Sequence, residues 1–213
     1  MHSVLKGVSA SVLFDVLLDP DYRKKWDPYM VESYEICCLN PNTDIGYYAL
    51  KAPKPLKNRD LVLIRSWLDR GTEYYVMNRS INHRSEPPRK TCIRAISYIT
   101  GFVIMPLSQQ SCEVTYITQS DPKGKLPVWV VNKMTQLTAP MVMTRLAKAA
   151  KDYESWKSKH NPCHKPWLFP EQMRLPRLKT TDIRPMQETQ QAETIDETDI
   201  MEDDLQEDIV GEM

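Results

Sequence analysis

The stretch Lys51-Ala-Pro-Lys-Pro-Leu-Lys-Asn-Arg-Asp60 runs straight into the apolar Leu61-Val-Leu-Ile64, and this junction decides how the chain folds. Pro53 and Pro55 keep the approach extended and out of helix. Asn58, Arg59 and Asp60 therefore arrive at the mouth of a strand whose neighbours must be buried. A guanidinium held there needs an anion. Two partners are open to Arg59 on spacing: a neighbouring carboxylate such as Asp60, or the phosphate of a ligand.

The surrounding texture is that of a sheet. Runs rich in Val, Ile, Tyr and Thr fall at 30–39, 45–51, 61–68, 73–79, 91–100 and 112–118, separated by Asn, Asp, Gly and Pro. Asn40-Pro-Asn-Thr-Asp44 and Asp69-Arg-Gly71 read as hairpin turns. Consecutive strands of this kind predict an antiparallel sheet. Ahead of them, Ser9 or Ser11 caps a short helix carrying Val12, Leu13, Val16 and Leu17, which Pro20 ends, and 21–27 adds another helical turn.

Behind the strands, Asp121-Pro-Lys-Gly-Lys-Leu-Pro127 opens the longest helix. Val130, Val131, Met134, Leu137, Met141, Val142, Leu146 and Ala149 step along one face, with Lys133, Arg145, Lys148 and Lys151 expected on the other. Pro140 should bend it. The segment 161–167 reads as an extended strap, and the chain after about Met173 is polar, acidic and without aromatics, which predicts disorder.

The 213 residues fit one domain with a tail. Formal charge is zero overall, but from Met186 onward there are eleven acids and no base, so residues 1–185 carry about +11. A basic body suits an anionic partner at close range. The odd set Cys37, Cys38, Cys92, Cys112 and Cys163 has no CxxC spacing and no leader ahead of it, which reads as a reduced, cytoplasmic chain. No stretch approaches the ~20 apolar residues of a membrane span, so membrane contact is expected to be peripheral.

Enzymatic chemistry finds no support in the pattern. His2, His83, His160 and His164 do not fall at metal-ligand intervals, no Gly-rich phosphate loop occurs, and no nucleophile sits with a base. No cofactor and no metal are expected. Tyr47, Tyr48, Tyr74 and Tyr75 could stack on bases, but they lie among Val, Ile and Met, so core or cavity lining is the better reading and nucleic acid is not the expected partner. A sheet and an amphipathic helix can instead enclose a volume, for which Tyr98 and Tyr116 are lining candidates, with core packing as the alternative.

At 21–27, Asn58-Arg-Asp60, Asp121-Pro-Lys-Gly-Lys-Leu-Pro-Val-Trp129 and Val130-Val-Asn-Lys133, the chain resembles the START (StAR-related lipid transfer) family, in particular its phosphatidylcholine-transfer-protein group. The resemblance runs from about Val8 to Phe169. It implies an α+β helix-grip fold, a curved antiparallel sheet with a long C-terminal helix over a lipid cavity, here lacking the first helix and first strands. Residues 1–169 would then be the lipid-binding domain, N-terminally incomplete, and 170–213 a disordered acidic tail.

By the same resemblance Arg59 falls on the arginine that meets the lipid phosphate, Tyr98 on a tyrosine of the choline-binding cage, and Tyr74 near another aromatic there. Tyr116 and Thr100 would line the cavity. Ala52 and Thr100 replace a tyrosine and a glutamine of the group, which adds phosphatidylethanolamine to phosphatidylcholine as an expected ligand.

The implied function is to bind one phospholipid and transfer it between membranes, without enzymatic activity. The helix should tilt aside, hinged near Pro140 and the 121–126 loop, with Lys133, Met134, Met141 and Lys148 meeting an anionic membrane transiently. Thr194 in the tail, followed by Asp196 and Glu197, suits an acid-directed kinase. The rival reading is an RNA- or protein-binding module using the sheet as a platform, without a cavity.

Overall fold

A computed structural model of the chain describes residues 1–185 and 195–201. Strand β1 (His2–Lys6) is followed by helix α1 (Ala10–Leu18), helix α2 (Pro20–Trp26), and strands β2 (Met30–Asn40) and β3 (Thr43–Leu50). Next come β4 (Asn58–Asp69), β5 (Tyr74–Ser80), the two-residue β6 (Asn82–His83), β7 (Cys92–Arg94), β8 (Ile96–Ser108) and β9 (Ser111–Asp121). Helix α3 (Val128–Lys157) closes the body, and β10 (Ile183–Arg184) pairs back onto β6. The main sheet runs β1-β9-β8-β5-β4-β3-β2, antiparallel throughout, with β7 added parallel to the start of β4.

Local chemistry sets these boundaries. Ser9 caps α1, its hydroxyl accepting from the Val12 amide at 3.2 Å. Asp19 ends α1 and caps α2 with one oxygen, which accepts from the Asp21 and Tyr22 amides, both at 3.1 Å. The hairpins turn where Asn40 and Asp69 accept the amides of Asn42 and Gly71, and Gly71 supplies the positive φ of 77° that the second turn requires. The sheet is longer than the sequence runs suggest. β8 continues through Pro106 to Ser108, and β1, which the sequence reading did not anticipate, adds an edge along β9.

The two faces of the sheet are buried differently. On the concave side, Leu13, Phe14 and Val16 of α1, Tyr22 of α2 and Leu146 and Tyr153 of α3 pack on Ile104, Val114 and Tyr116. On the convex side, Cys37, Ile45, Tyr47, Ala49 and Val62 are covered by Ile81 and Leu178. This second cover corrects the expected domain boundary. Residues 170–185 are part of the body: Cys38 donates its amide to Pro176 O at 2.9 Å, and Leu178 returns one to Cys38 O at 2.8 Å. The acidic segment 195–201 is docked as well, whereas the Thr194 site falls outside the described residues.

Helix α3 has two unequal halves around Pro140. Its C-terminal half is buried through Met143, Leu146, Ala149, Ala150 and Tyr153, whereas in the N-terminal half Val130 is buried, Leu137 exposed and Val128 75% exposed. Thr138 and Thr144 donate their hydroxyls back to Met134 O at 2.6 Å and Pro140 O at 3.0 Å. Such back-bonds loosen a helix, and Pro140 supplies no amide for the bond that would cross between them. No helix among the described residues is long and apolar enough to cross a membrane.

Candidate functional site

Between the concave face of the sheet and the N-terminal half of α3 lies a pocket of about 990 Å³. Strand alternation builds its floor: Ser33 and Glu35 from β2, Asp44, Tyr48 and Leu50 from β3, Leu61, Leu63 and Arg65 from β4, then Phe102 and Tyr116. Its roof is the helical row Lys133, Leu137, Met141 and Arg145, spaced four residues apart, with Met134, Thr138 and Val142 beside it. This row corrects the expected division of the helix. Lys133 and Arg145 share a stripe with Leu137 and Met141, so they line the pocket, and of the four basic residues expected on the outer face Lys148 and Lys151 are exposed there.

Two polar groups punctuate the apolar lining. In the first, Arg23 Nε donates to Asp27 Oδ2 at 3.1 Å, and its guanidinium lies 4.8 Å above the Tyr48 ring. The Tyr48 hydroxyl donates to the same Asp27 oxygen at 2.7 Å. Burial disfavours the Arg23 cation, but Tyr48 and Asp27 outweigh it and hold its pKa above the ordinary value. Burial likewise pushes the Tyr48 phenol up, and it stays protonated. From the roof, Arg145 sits 4.6 Å over the Tyr29 ring, whose hydroxyl donates to Met141 Sδ at 3.2 Å. The Trp26 indole N–H, also at the pocket, is buried and finds no acceptor among the described residues.

In the second group, Arg65 bridges two acids, donating to Asp44 and to Glu35, the latter at 3.1 Å. Burial raises the Glu35 pKa, with Asp44 adding to the rise and Arg65 opposing it.

The residues singled out in the sequence divide between inside and outside. Tyr116 and Thr100 line the pocket, Tyr116 stacked on Phe102 at 4.7 Å and Thr100 bonded to Thr118. Met134 and Met141 are in the roof. Tyr98 is outside, 53% exposed, because the register of β8 against β9 slips between Ser97 and Ile99. That bulge turns Ser97 inward and Tyr98 outward. Tyr74 packs against Phe14 at 5.0 Å, in the core that α1 already fills, and does not reach the pocket.

Arg59 has the right strand parity, yet it lies under the 122–125 loop at the start of β4, away from the pocket lining. It donates Nε to Pro122 O at 3.1 Å, Nη1 to Lys57 O at 2.6 Å, and Nη2 to Lys123 O at 3.2 Å and Glu197 Oε2 at 2.6 Å. Both side chains of the ion pair are buried. The anion that Arg59 requires is thus a carboxylate of the chain itself, and it is Glu197; Asp60 serves Arg94 instead.

The sequence reading missed Arg23 and Asp27, named Tyr48 only among four tyrosines of core or cavity lining, and set Arg145 on the outer face. A signal existed: Arg23 and Asp27 stand four apart on a helix, the spacing of a side-chain pair. The strap histidines hold no metal cluster among the described residues; His160 stacks on Trp156 at 4.3 Å.

Comparison with known proteins bears on this architecture. A family profile of the START domain matches residues 1–155. START domain-containing protein 10 of Homo sapiens is 48% identical over 195 residues, covering 92% of this chain and 67% of that protein. The phosphatidylcholine transfer protein of Mus musculus is 32% identical over 157 residues, 72% of each chain. The crystal structure of human STARD10 superposes with a TM-score of 0.82 at 48% identity, covering 85% of this chain and 74% of that one. With its sheet gripped by a C-terminal helix and this degree of identity, the chain belongs to the START-domain family of lipid-transfer proteins.

Proposed function

We propose that the chain carries one phospholipid, phosphatidylcholine or phosphatidylethanolamine, in the pocket beneath α3 and passes it between membranes. The observation that carries this reading is the pairing of an apolar pocket of about 990 Å³ with one zwitterion-matched group of residues. Arg23 and Arg145 suit the phosphate, while Asp27 and the faces of Tyr48 and Tyr29 suit the cationic end of the headgroup. A phosphate or ester oxygen would also give the Trp26 N–H its acceptor. Acyl chains would lie along Leu61, Leu63, Phe102, Leu137 and Val142. Burying on the order of several hundred Å² at about 25 cal/mol per Å² supplies most of the affinity, and the headgroup contacts supply selection.

The platform alternative needs an open sheet face. Here the concave face lies under α1, α2 and α3, and part of the convex face is covered by 81–95 and 170–185. Exchange in this reading proceeds by movement of the N-terminal half of α3 at a transiently contacted bilayer, with the exposed Val128 and Lys148 turned outward. The relatives named for phosphatidylcholine transfer support a carrier with no chemical step. Native mass spectrometry of gently purified protein tests the proposal: a co-purified mass of one phospholipid is expected, and a chain that flies bare after exposure to phosphatidylcholine and phosphatidylethanolamine vesicles would overturn it.

A further inference from the structure

The front of the lid is weakly held by its own sequence. Its N-cap, Pro127, offers no side-chain capping bond, and Val128 stands in solvent. What fastens it comes from far along the chain. Lys125 donates its amide to Ile195 O at 3.1 Å, and Glu197 donates to Lys125 O at 3.0 Å, a parallel bridge on the loop that leads into α3. The Glu197 carboxylate then reaches Arg59, and its other oxygen accepts from the Lys57 amide at 2.9 Å. Ile200 packs with Leu126, Trp129 and Met134 around Ala52, Leu56 and Val130.

One seven-residue stretch therefore ties together the 51–57 loop on the body, the 122–126 loop and the first turns of the helix. Gly124 suits this crossing: its φ of 76° strains any side chain, and a Cβ there would stand 3.3 Å from Ile93 Cδ1, beside Arg59 Nη2 and Glu197 Oε2 at 3.4 Å. The α3 front cannot leave the body while these bonds hold. The fastening is graded: the Arg59–Glu197 pair is buried, whereas the Lys125–Asp196 pair at 3.5 Å is open to water and weak.

We propose that residues 195–201 are a latch on the lid, with Glu197 seated on Arg59 and Ile200 on the first turns of α3, and that this segment must let go before lipid is exchanged. The second clause rests on the carrier reading above. The chain's own acidic segment is thus the ligand of the arginine that the sequence offered for a phosphate, and unlatching begins at the exposed Lys125–Asp196 end.

The test uses the full chain as wild type, Glu197→Gln and Ile200→Asp, the last leaving the Arg59 ion pair in place should the first fold poorly. Hydrogen–deuterium exchange is expected to quicken at least about tenfold over residues 122–134 in both variants, with β8 and β9 unchanged. Transfer of phosphatidylcholine between vesicles is expected to rise in parallel. Unchanged exchange over 122–134 in Ile200→Asp overturns the latch. Faster exchange with unaltered transfer, in a chain whose wild type does transfer, overturns its role in exchange. A wild type that moves no lipid overturns the carrier reading and that second clause together, while the amide data alone decide whether the segment holds the lid.

Discussion

Lys157 donates from Nζ to Asp19 Oδ2 at 2.8 Å, with both side chains nearly inaccessible, so the last turn of α3 is fixed to the corner between α1 and α2. Tyr153 donates to the same oxygen at 3.0 Å, and Tyr22 bonds to Ala149 O at 2.7 Å. Together these bonds make the C-terminal half of α3 the stationary part of the lid. Asp19→Ala strands a buried ammonium and uncaps α2, and it is expected to cost about 3–5 kcal/mol. Urea unfolding measures this; a loss under about 1 kcal/mol would show that the corner is not the anchor.

Arg23 and Arg59 should part company under substitution. Arg23→Gln is expected to reduce co-purified phospholipid about tenfold or more while shifting stability by no more than about 1 kcal/mol, since its ion pair with Asp27 is partly open to solvent. Arg59→Ala is expected to act the other way, destabilising the fold by up to about 3–5 kcal/mol with lipid affinity of the surviving folded fraction kept. Lipid extraction and thermal melts on both variants decide. The reverse pattern would return Arg59 to the ligand.

Gly124 and Gly71 both sit at positive φ, 76° and 77°, but only Gly124 has neighbours that a methyl would meet. Alanine at either position carries backbone strain of roughly 1 kcal/mol or more. Gly124→Ala should additionally crowd Ile93 Cδ1 at 3.3 Å and the Arg59–Glu197 pair. The excess loss of melting temperature in Gly124→Ala over Gly71→Ala measures that crowding, and equal losses would mean the pair simply moves aside.

Asp15 gives the stability a pH signature. Burial raises its carboxyl above the ordinary 3.8, although Lys165 and Trp167 both bond to it and oppose the rise. With the folded value the higher one, the native state holds the proton more tightly than the unfolded chain. This contribution is therefore fully present below pH 3.8, declines as pH rises through the folded value, and is absent above it. Asp15→Asn should remove that slope from a plot of Tm against pH, and parallel curves for the two proteins would contradict the assignment.

The fold was legible because its signals are local. The strand runs at 30–39, 61–68 and 112–118, the Ser9 cap and the Pro127 start of the long helix all appear where composition and turn chemistry placed them. The site was half legible. Tyr116 faces the pocket as strand alternation has it, whereas Tyr98 faces outward because a bulge is invisible to a period-two count. Arg59 lies off the pocket lining for a different reason: its partner is Glu197, 138 residues away, in a stretch that composition alone assigns to disorder. Lys133 and Arg145 were placed by charge on the outer face, whereas helical geometry puts them on the row of Met141, where a pocket with a polar ligand end can accept them.

The backbone exchange between Cys38 and the Pro176–Leu178 segment has a practical side for anyone preparing this protein. A chain cut after Phe169, at the boundary the family resemblance invites, would uncover the outer rim of β2, with unpaired N–H and C=O groups ready to zip onto a second molecule. It would also bring the now-buried thiols of Cys37 and Cys38 within reach of air and of alkylating reagents. Shelf life and monomer yield should therefore fall together in such a truncation, and return when the chain is extended to Pro185.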